Sequence, residues 1–436
     1  MRSHVEHWGI IKSLAVVALL LASLVAADAA QAAWTNGQAA TIVLGQTDFV
    51  TRDSGVAQNK QSLPMGVCVD KNTGKVFVLD NGNSRVLRFS SANAATNGSN
   101  AEAAFGQPSY TDQSYGTSQT TLRNPMGCAM TDSGDLWVAD AENGRVLLFS
   151  NAANKPEFNA QADKVLGQAD FNSRVSTATQ ANMSPEVRGV AVSPDGETLW
   201  ASAQDQNRVL RWDNVSSKSN GANADSVLGQ TDFTSTSSGA TASTLHGPST
   251  LALDASGNLY VLDATNNRVL RFDNAASLGA GASASGVLGA SDLNSQGAGA
   301  ATAAAFDQPA GIAIASDGRL YVASYSQSRV LIFTNPASKA NGADADYVLG
   351  QTDFTSSSYG LSATQFSGPM GLGFNPLTGI LYVADGWNAR VLGFYNEELI
   401  RSTQVPAAPA VGYLGFGFAL LGLAALALRA GRRRAR

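Results

Sequence analysis

Hydrophobic residues along this chain come in short runs broken by polar turn residues, and the runs recur. One stretch reads Pro64-Met65-Gly66-Val67-Cys68-Val69-Asp70, turns at Asn72-Thr73-Gly74, and continues Val76-Phe77-Val78-Leu79-Asp80. A second turn, Asn81-Gly82-Asn83, leads into Arg85-Val86-Leu87-Arg88-Phe89. β-Branched and aromatic runs separated by Gly, Asn and Asp predict an antiparallel meander. A fourth run, Val227-Leu228-Gly229-Gln230-Thr231-Asp232-Phe233, has near-copies at 43–49, 104–110, 165–171, 287–293 and 348–354. Its glycine falls at 45, 106, 167, 229, 289 and 350, in steps of 60 to 62 residues, and a fixed period predicts a repeat architecture.

The three-run unit also occurs six times, with its arginine at Arg85, Arg145, Arg208, Arg268, Arg329 and Arg390. The pattern is clearest in Pro369-Met370-Gly371, Leu381-Tyr382-Val383-Ala384-Asp385 and Asn388-Ala389-Arg390-Val391. It resembles the NHL repeat, which implies an all-β, six-bladed β-propeller with about 61 residues and four strands per blade. The chain opens on a lone fourth strand (42–46) and its last repeat (369–394) has three. The N-terminal strand is therefore expected to complete blade six and close the ring without an open edge.

The ends differ from the body. Arg2 and Lys12 precede the apolar run 14–25 and the small residues Ala27-Asp28-Ala29 and Ala30-Gln31-Ala32, which predicts a signal peptide over 1–32; an uncleaved anchor is the alternative. The propeller is assigned to 34–396 and a linker to 397–409. The apolar stretch 410–428 has the length of a membrane span, and 429–436 is a basic cytoplasmic tail. Proline motif, apolar helix and terminal arginines resemble PEP-CTERM sorting segments, which implies a sorting transpeptidase as partner; here the motif reads Val405-Pro406-Ala407-Ala408-Pro409. A permanent tail anchor is the alternative. Either arrangement puts the propeller outside the inner membrane, at the cell envelope.

Charge narrows the partners. Only 14% of residues are charged, and with the termini set aside 32 acidic residues face 22 basic ones, a surface that excludes nucleic acid. Cys68 and Cys128 lie in the same strand of adjacent repeats, displaced by one position and so on opposite sheet faces. That parity is compatible with a disulfide in an oxidising compartment, and equally with two buried thiols.

Candidates for chemistry are few. His246 is the one histidine after the signal segment, whereas a zinc site of the amidating-lyase kind needs several, so it is read as a loop residue. The first strand of each blade lines the axis, and the residues after the prolines are Met65, Met126, Glu186, Ser249, Ala310 and Met370. With one carboxylate, close to Arg188, that ring is a poor calcium cage; no cofactor is expected, and axial calcium is the alternative. Met65, Met126 and Met370, with Glu186 and Arg188, form a candidate binding patch for a protein or apolar ligand, unless the methionines plug the channel as core.

Asp80, Asp140, Asp263 and Asp385 accompany Asn83, Asn143, Asn266 and Asn388, while blades three and five carry Ala203 and Ser324 with Gln206 and Gln327. Joint replacement reads as one structural hairpin network, with the arginines bridging blades or carbonyls. The loops at 50–63, 111–124, 172–184, 234–247, 294–308 and 355–368 should share one face; Tyr110, Tyr115, Tyr359 and Phe366 are stacking candidates there, or the loops are mere connections. The expected function is a non-catalytic scaffold for a protein or an envelope polysaccharide. The alternatives are a propeller hydrolase or lyase with an axial metal, or a matrix component without a discrete ligand.

Overall fold

A computed structural model describes residues 34–396; the signal, linker, apolar segment and basic tail expected at the ends lie outside the described residues. No helix among the described residues is long and apolar enough to cross a membrane.

Six four-stranded antiparallel sheets make up the fold. Blade one consists of Pro64–Val69, Val76–Asp80, Arg85–Phe89 and Ala103–Phe105, from the axis outward. The other inner strands are Pro125–Met130, Val187–Val192, Pro248–Leu253, Pro309–Ile314 and Pro369–Asn375. Blade six takes its fourth strand from the other end of the chain. Ile42–Leu44 pairs with Arg390–Tyr395 in the register Ile42↔Gly393, Val43↔Leu392 and Leu44↔Val391. The all-β, six-bladed propeller expected from the repeats is the observed fold.

The arm before that strand belongs to the closure too. Asn36 accepts a hydrogen bond from the Val348 N–H and Gly37 donates to the Val348 carbonyl, on the outer strand of blade five. Asn97-Gly98, Asn220-Gly221 and Asn341-Gly342 do the same to Val43, Val165 and Val287. Each pair covers polar groups that an edge strand would otherwise expose. Trp34 is buried against blade five, its indole N–H donating to the Tyr321 hydroxyl at 3.1 Å.

Packing between blades follows a small-into-large rule. Ala129 shares a core cluster with Val190 and Val192, Ala191 with Leu251 and Leu253, Ala252 with Ile312 and Ile314, and Ala313 with Leu372 and Phe374. Cys68 occupies the small position and Cys128 the large one at the first interface, and there the contact is covalent: the sulfurs are bonded at 2.11 Å. Closer to the mouth, backbone meets backbone. A β-carbon on Gly66, Gly127, Gly189, Gly311 or Gly371 would lie 2.0 to 2.5 Å from the next blade's carbonyl oxygen, at Met126, Arg188, Ser249, Met370 and Met65 respectively. Blade four has Thr250 there, and its hydroxyl donates to the Ala310 carbonyl at 3.2 Å.

Candidate functional site

Among the described residues, three spaces lie along the axis. A cavity of about 570 Å³ opens on the face carrying the Asp-x-x-Asn turns, and a funnel of about 300 Å³ opens on the opposite face. Between them lies a waist of about 30 Å³, lined by Val67, Cys128, Val190, Leu251, Ile312 and Leu372 among others. A waist of that size has room for water but not for a larger ligand. A ligand larger than water therefore enters the mouth cavity from the face carrying the turns.

Blade three requires a correction to the sequence reading of the mouth. Inner strands are preceded by a residue in left-handed conformation: Leu63, Asn124, Glu186, Gly247, Gln308 and Gly368, with φ from 47 to 75°. Glu186 thus corresponds to the residue before proline in the other blades, and Val187, paired with Ala203, stands where Pro64 pairs with Asp80. Counting from Pro185 misplaces the ring by two residues. The ring residue of blade three is Arg188, whose carbonyl faces Gly127. The corrected ring reads Met65, Met126, Arg188, Ser249, Ala310 and Met370, with no carboxylate.

Met65, Met370 and Arg188 line the cavity, whereas Met126 lies at the waist. Glu186 is brought to Arg188 by an ion pair, Oε2 to Nη2 at 2.8 Å. The rest of the lining was not singled out from sequence. Tyr325 is half-buried beside Met65 and Met370, and its hydroxyl accepts a hydrogen bond from the indole N–H of Trp387, which is 49% exposed. Gln204, Thr265, Asn267, Asp307 and Gln308 supply polar groups. Burial, and then the neighbouring Glu186, push the Asp205 carboxyl up, and Arg188 offsets part of this. The available signal was positional. Gln204, Ala264 and Tyr325 follow directly on the turn position held by Ala203, Asp263 and Ser324, so comparing that one column across repeats points to the mouth.

The repeated Asp, Asn and Arg side chains do not line the cavity. In blade one, Asp80 Oδ2 accepts from Arg85 Nε at 2.7 Å and from Asn83 Nδ2 at 2.8 Å, while Oδ1 accepts from the Ser62 N–H at 2.6 Å. Arg85 also donates to the carbonyls of Tyr110, Ala57 and Lys60, tying together the loops on both sides of the blade. Asp140 with Arg145, Asp263 with Arg268 and Asp385 with Arg390 repeat the pair, all fully buried. Burial pushes these four aspartates up, and the hydrogen bonds and guanidinium pull them back. Arg208 and Arg329 bond Gln206 and Gln327 instead; without a carboxylate partner, burial pulls each down to about 10.

The recurring Val-Leu-Gly-Gln segment is likewise a fastening. Its glycines sit at φ 83 to 90°, a left-handed backbone that favours glycine. Its glutamine amide bridges carbonyls, as Gln46 does for Ala389 and Asp53. Of the aromatic loop candidates, Phe366 is core and Tyr110 packs edge-on against Phe158, while Tyr115 and Tyr359 are 65% and 80% exposed. The His246 N–H donates to Asp263 Oδ1 at 2.7 Å. Among the described residues, no group of three or more His, Cys, Asp or Glu is placed to hold a metal ion.

Comparison with known proteins adds fold and little else. The alkaline phosphatase PhoX family matches residues 44–207, less than half of the chain. No curated protein matches in sequence. A Bacteroides thetaiotaomicron structural genomics protein of unknown function superposes with TM-score 0.50 and 16% identity over 81% of this chain and 76% of its own. Hydrazine synthase of Kuenenia stuttgartiensis (TM-score 0.47, 13% identity, 80% and 98% covered) and a streptogramin B lyase (0.45, 11%, 80% and 97%) are more distant. The likeness to the Bacteroides protein is one of fold, and the chain is a six-bladed β-propeller.

Proposed function

We propose that this chain is an NHL-type binding module of the cell envelope whose ligand occupies the mouth cavity. In this reading residues 1–32 direct export across the inner membrane. The segment 410–428 holds the propeller at the membrane, or delivers it to a sorting transpeptidase. The partner is a protein or an envelope polysaccharide, and no cofactor takes part.

The observation that carries this is the mouth cavity of about 570 Å³, with Tyr325, Met65 and Met370 as its apolar wall and Arg188, Gln204, Asn267 and Asp307 among its polar lining. Its size and mixed walls suit a ligand site. The remaining repeated polar groups are consumed in holding loops. A second reading, phosphate ester hydrolysis with an axial metal, is favoured by the PhoX match over 44–207, which spans blades one and two and the first two strands of blade three.

Thermal-shift screening of the full chain against saccharides, peptides and phosphate esters tests the first reading. A true ligand raises the melting temperature of the native chain and not of Ala310→Trp, which puts an indole into the cavity. Turnover of p-nitrophenyl phosphate in the presence of calcium, lost in Ala310→Trp, would replace it with the second.

A further inference from the structure

We infer that the mouth cavity binds a neutral saccharide; this rests on the reading of that cavity as the ligand site. The aromatic side is the first reason. Tyr325 stands beside Met65 and Met370, an apolar surface on which the C–H face of a sugar ring packs, and Trp387 donates to the Tyr325 hydroxyl from outside the lining.

Elsewhere in the lining, Gln204, Thr265 and Asn267, with Asp307 and Gln308 next to Tyr325, carry both donors and acceptors, and the Gln204 Oε1 is buried without a partner. Vicinal hydroxyls, each donor and acceptor at once, match amide and carboxylate side chains. Charge selects among sugars. Of the charged residues lining the cavity, Arg188 is already paired with Glu186, which leaves Asp307, so sulfated, phosphorylated or uronic chains are repelled. An extended peptide finds less to hold. The outer strands of blades two, four, five and six are bonded by Asn-Gly turns of the following blade, which closes them to strand addition.

Trp387 supplies the readout. Trp34, Trp137, Trp200 and Trp212 are at most 2% exposed and Trp387 is 49% exposed, so the difference between native and Trp387→Phe emission isolates it. The full chain is titrated with maltohexaose, cellohexaose, chitohexaose, an oligogalacturonate and hexaalanine. A saturable blue shift with a neutral hexasaccharide is expected. Tyr325→Ala and Asp307→Ala, each checked for an unchanged circular dichroism spectrum, should weaken it by about tenfold or more. If oligogalacturonate or hexaalanine binds in place of the neutral sugars and Tyr325→Ala weakens it, the saccharide assignment falls and the cavity reading stands. If no probe shifts the emission or releases heat up to about 10 mM, the saccharide assignment falls. Should the broader thermal-shift screen then also find no ligand sensitive to Ala310→Trp, the cavity reading falls with it.

Discussion

Pro185 stands where blades one, two, four and six place a backbone N–H that donates to the turn aspartate, and Ala203 stands where that aspartate would be. The donors are Ser62, Arg123, His246 and Ser367, at 2.6 to 2.7 Å from Oδ1. Proline has no N–H, so blade three has lost donor and acceptor together. In blade five the donor persists and bonds the Ser324 hydroxyl at 2.9 Å.

The coupling makes a differential prediction. Ala203→Asp buries a carboxylate with one oxygen unpartnered; adding Pro185→Ser should recover about 1–3 kcal/mol in urea denaturation. Ser324→Asp, with the Asp307 N–H in place, should be tolerated better than Ala203→Asp. Removing an existing member is harsher, because Asp263→Ala strands the buried Arg268 and should cost roughly 3–5 kcal/mol.

The bond between Cys68 and Cys128, Cα atoms 6.1 Å apart, closes a loop of 60 residues. Chain-entropy reasoning puts its contribution at roughly 4 kcal/mol, so reduction should lower the denaturation midpoint of the native chain. Cys68→Ala with Cys128→Val restores the small-into-large packing of the other interfaces. That variant should fold, match or exceed the reduced native chain in midpoint, and ignore dithiothreitol.

Ring closure rests on both Ile42–Leu44 and the arm before it. Deleting residues 34–44 leaves the Arg390–Tyr395 strand as an open edge and should yield an aggregating chain without a cooperative melting transition. Trp34→Ala alone should stay folded and lose about 3–5 kcal/mol, the usual cost of emptying a buried tryptophan site.

The acid limb of stability should report the loop aspartates. Asp353 is held down at about 2 by the Thr355 hydroxyl and then the N–H groups of Thr355 and Ser356. Asp48, Asp170, Asp232 and Asp292 are lowered by similar bonds. A carboxylate whose folded pKa lies below its unfolded value stabilises fully above the unfolded value and ceases to do so as pH falls through the folded one. Native protein should therefore exceed Asp353→Asn in melting temperature at pH 5, with the difference disappearing from pH 4 to pH 2.

Much of the propeller was legible because each repeat states its own local rules. Turn residues and β-branched runs set four strands per blade, six arginines set six blades, and a lone strand at one end facing a three-strand repeat at the other dictated closure. The Asp-Asn-Arg network was legible for the same reason: its members lie within a few residues of one another. What crosses the ring was not. The partner of Cys68 depended on which neighbour its strand face meets. The ring residue of blade three depended on a left-handed Glu186 that resets the count from Pro185. The mouth cavity joins Tyr325 of blade five to Met65 of blade one and Arg188 of blade three. Local sequence fixes strands and turns through short-range sterics and hydrogen bonds; which side chains share the axis is decided only when six sheets close and their backbones meet at the glycines.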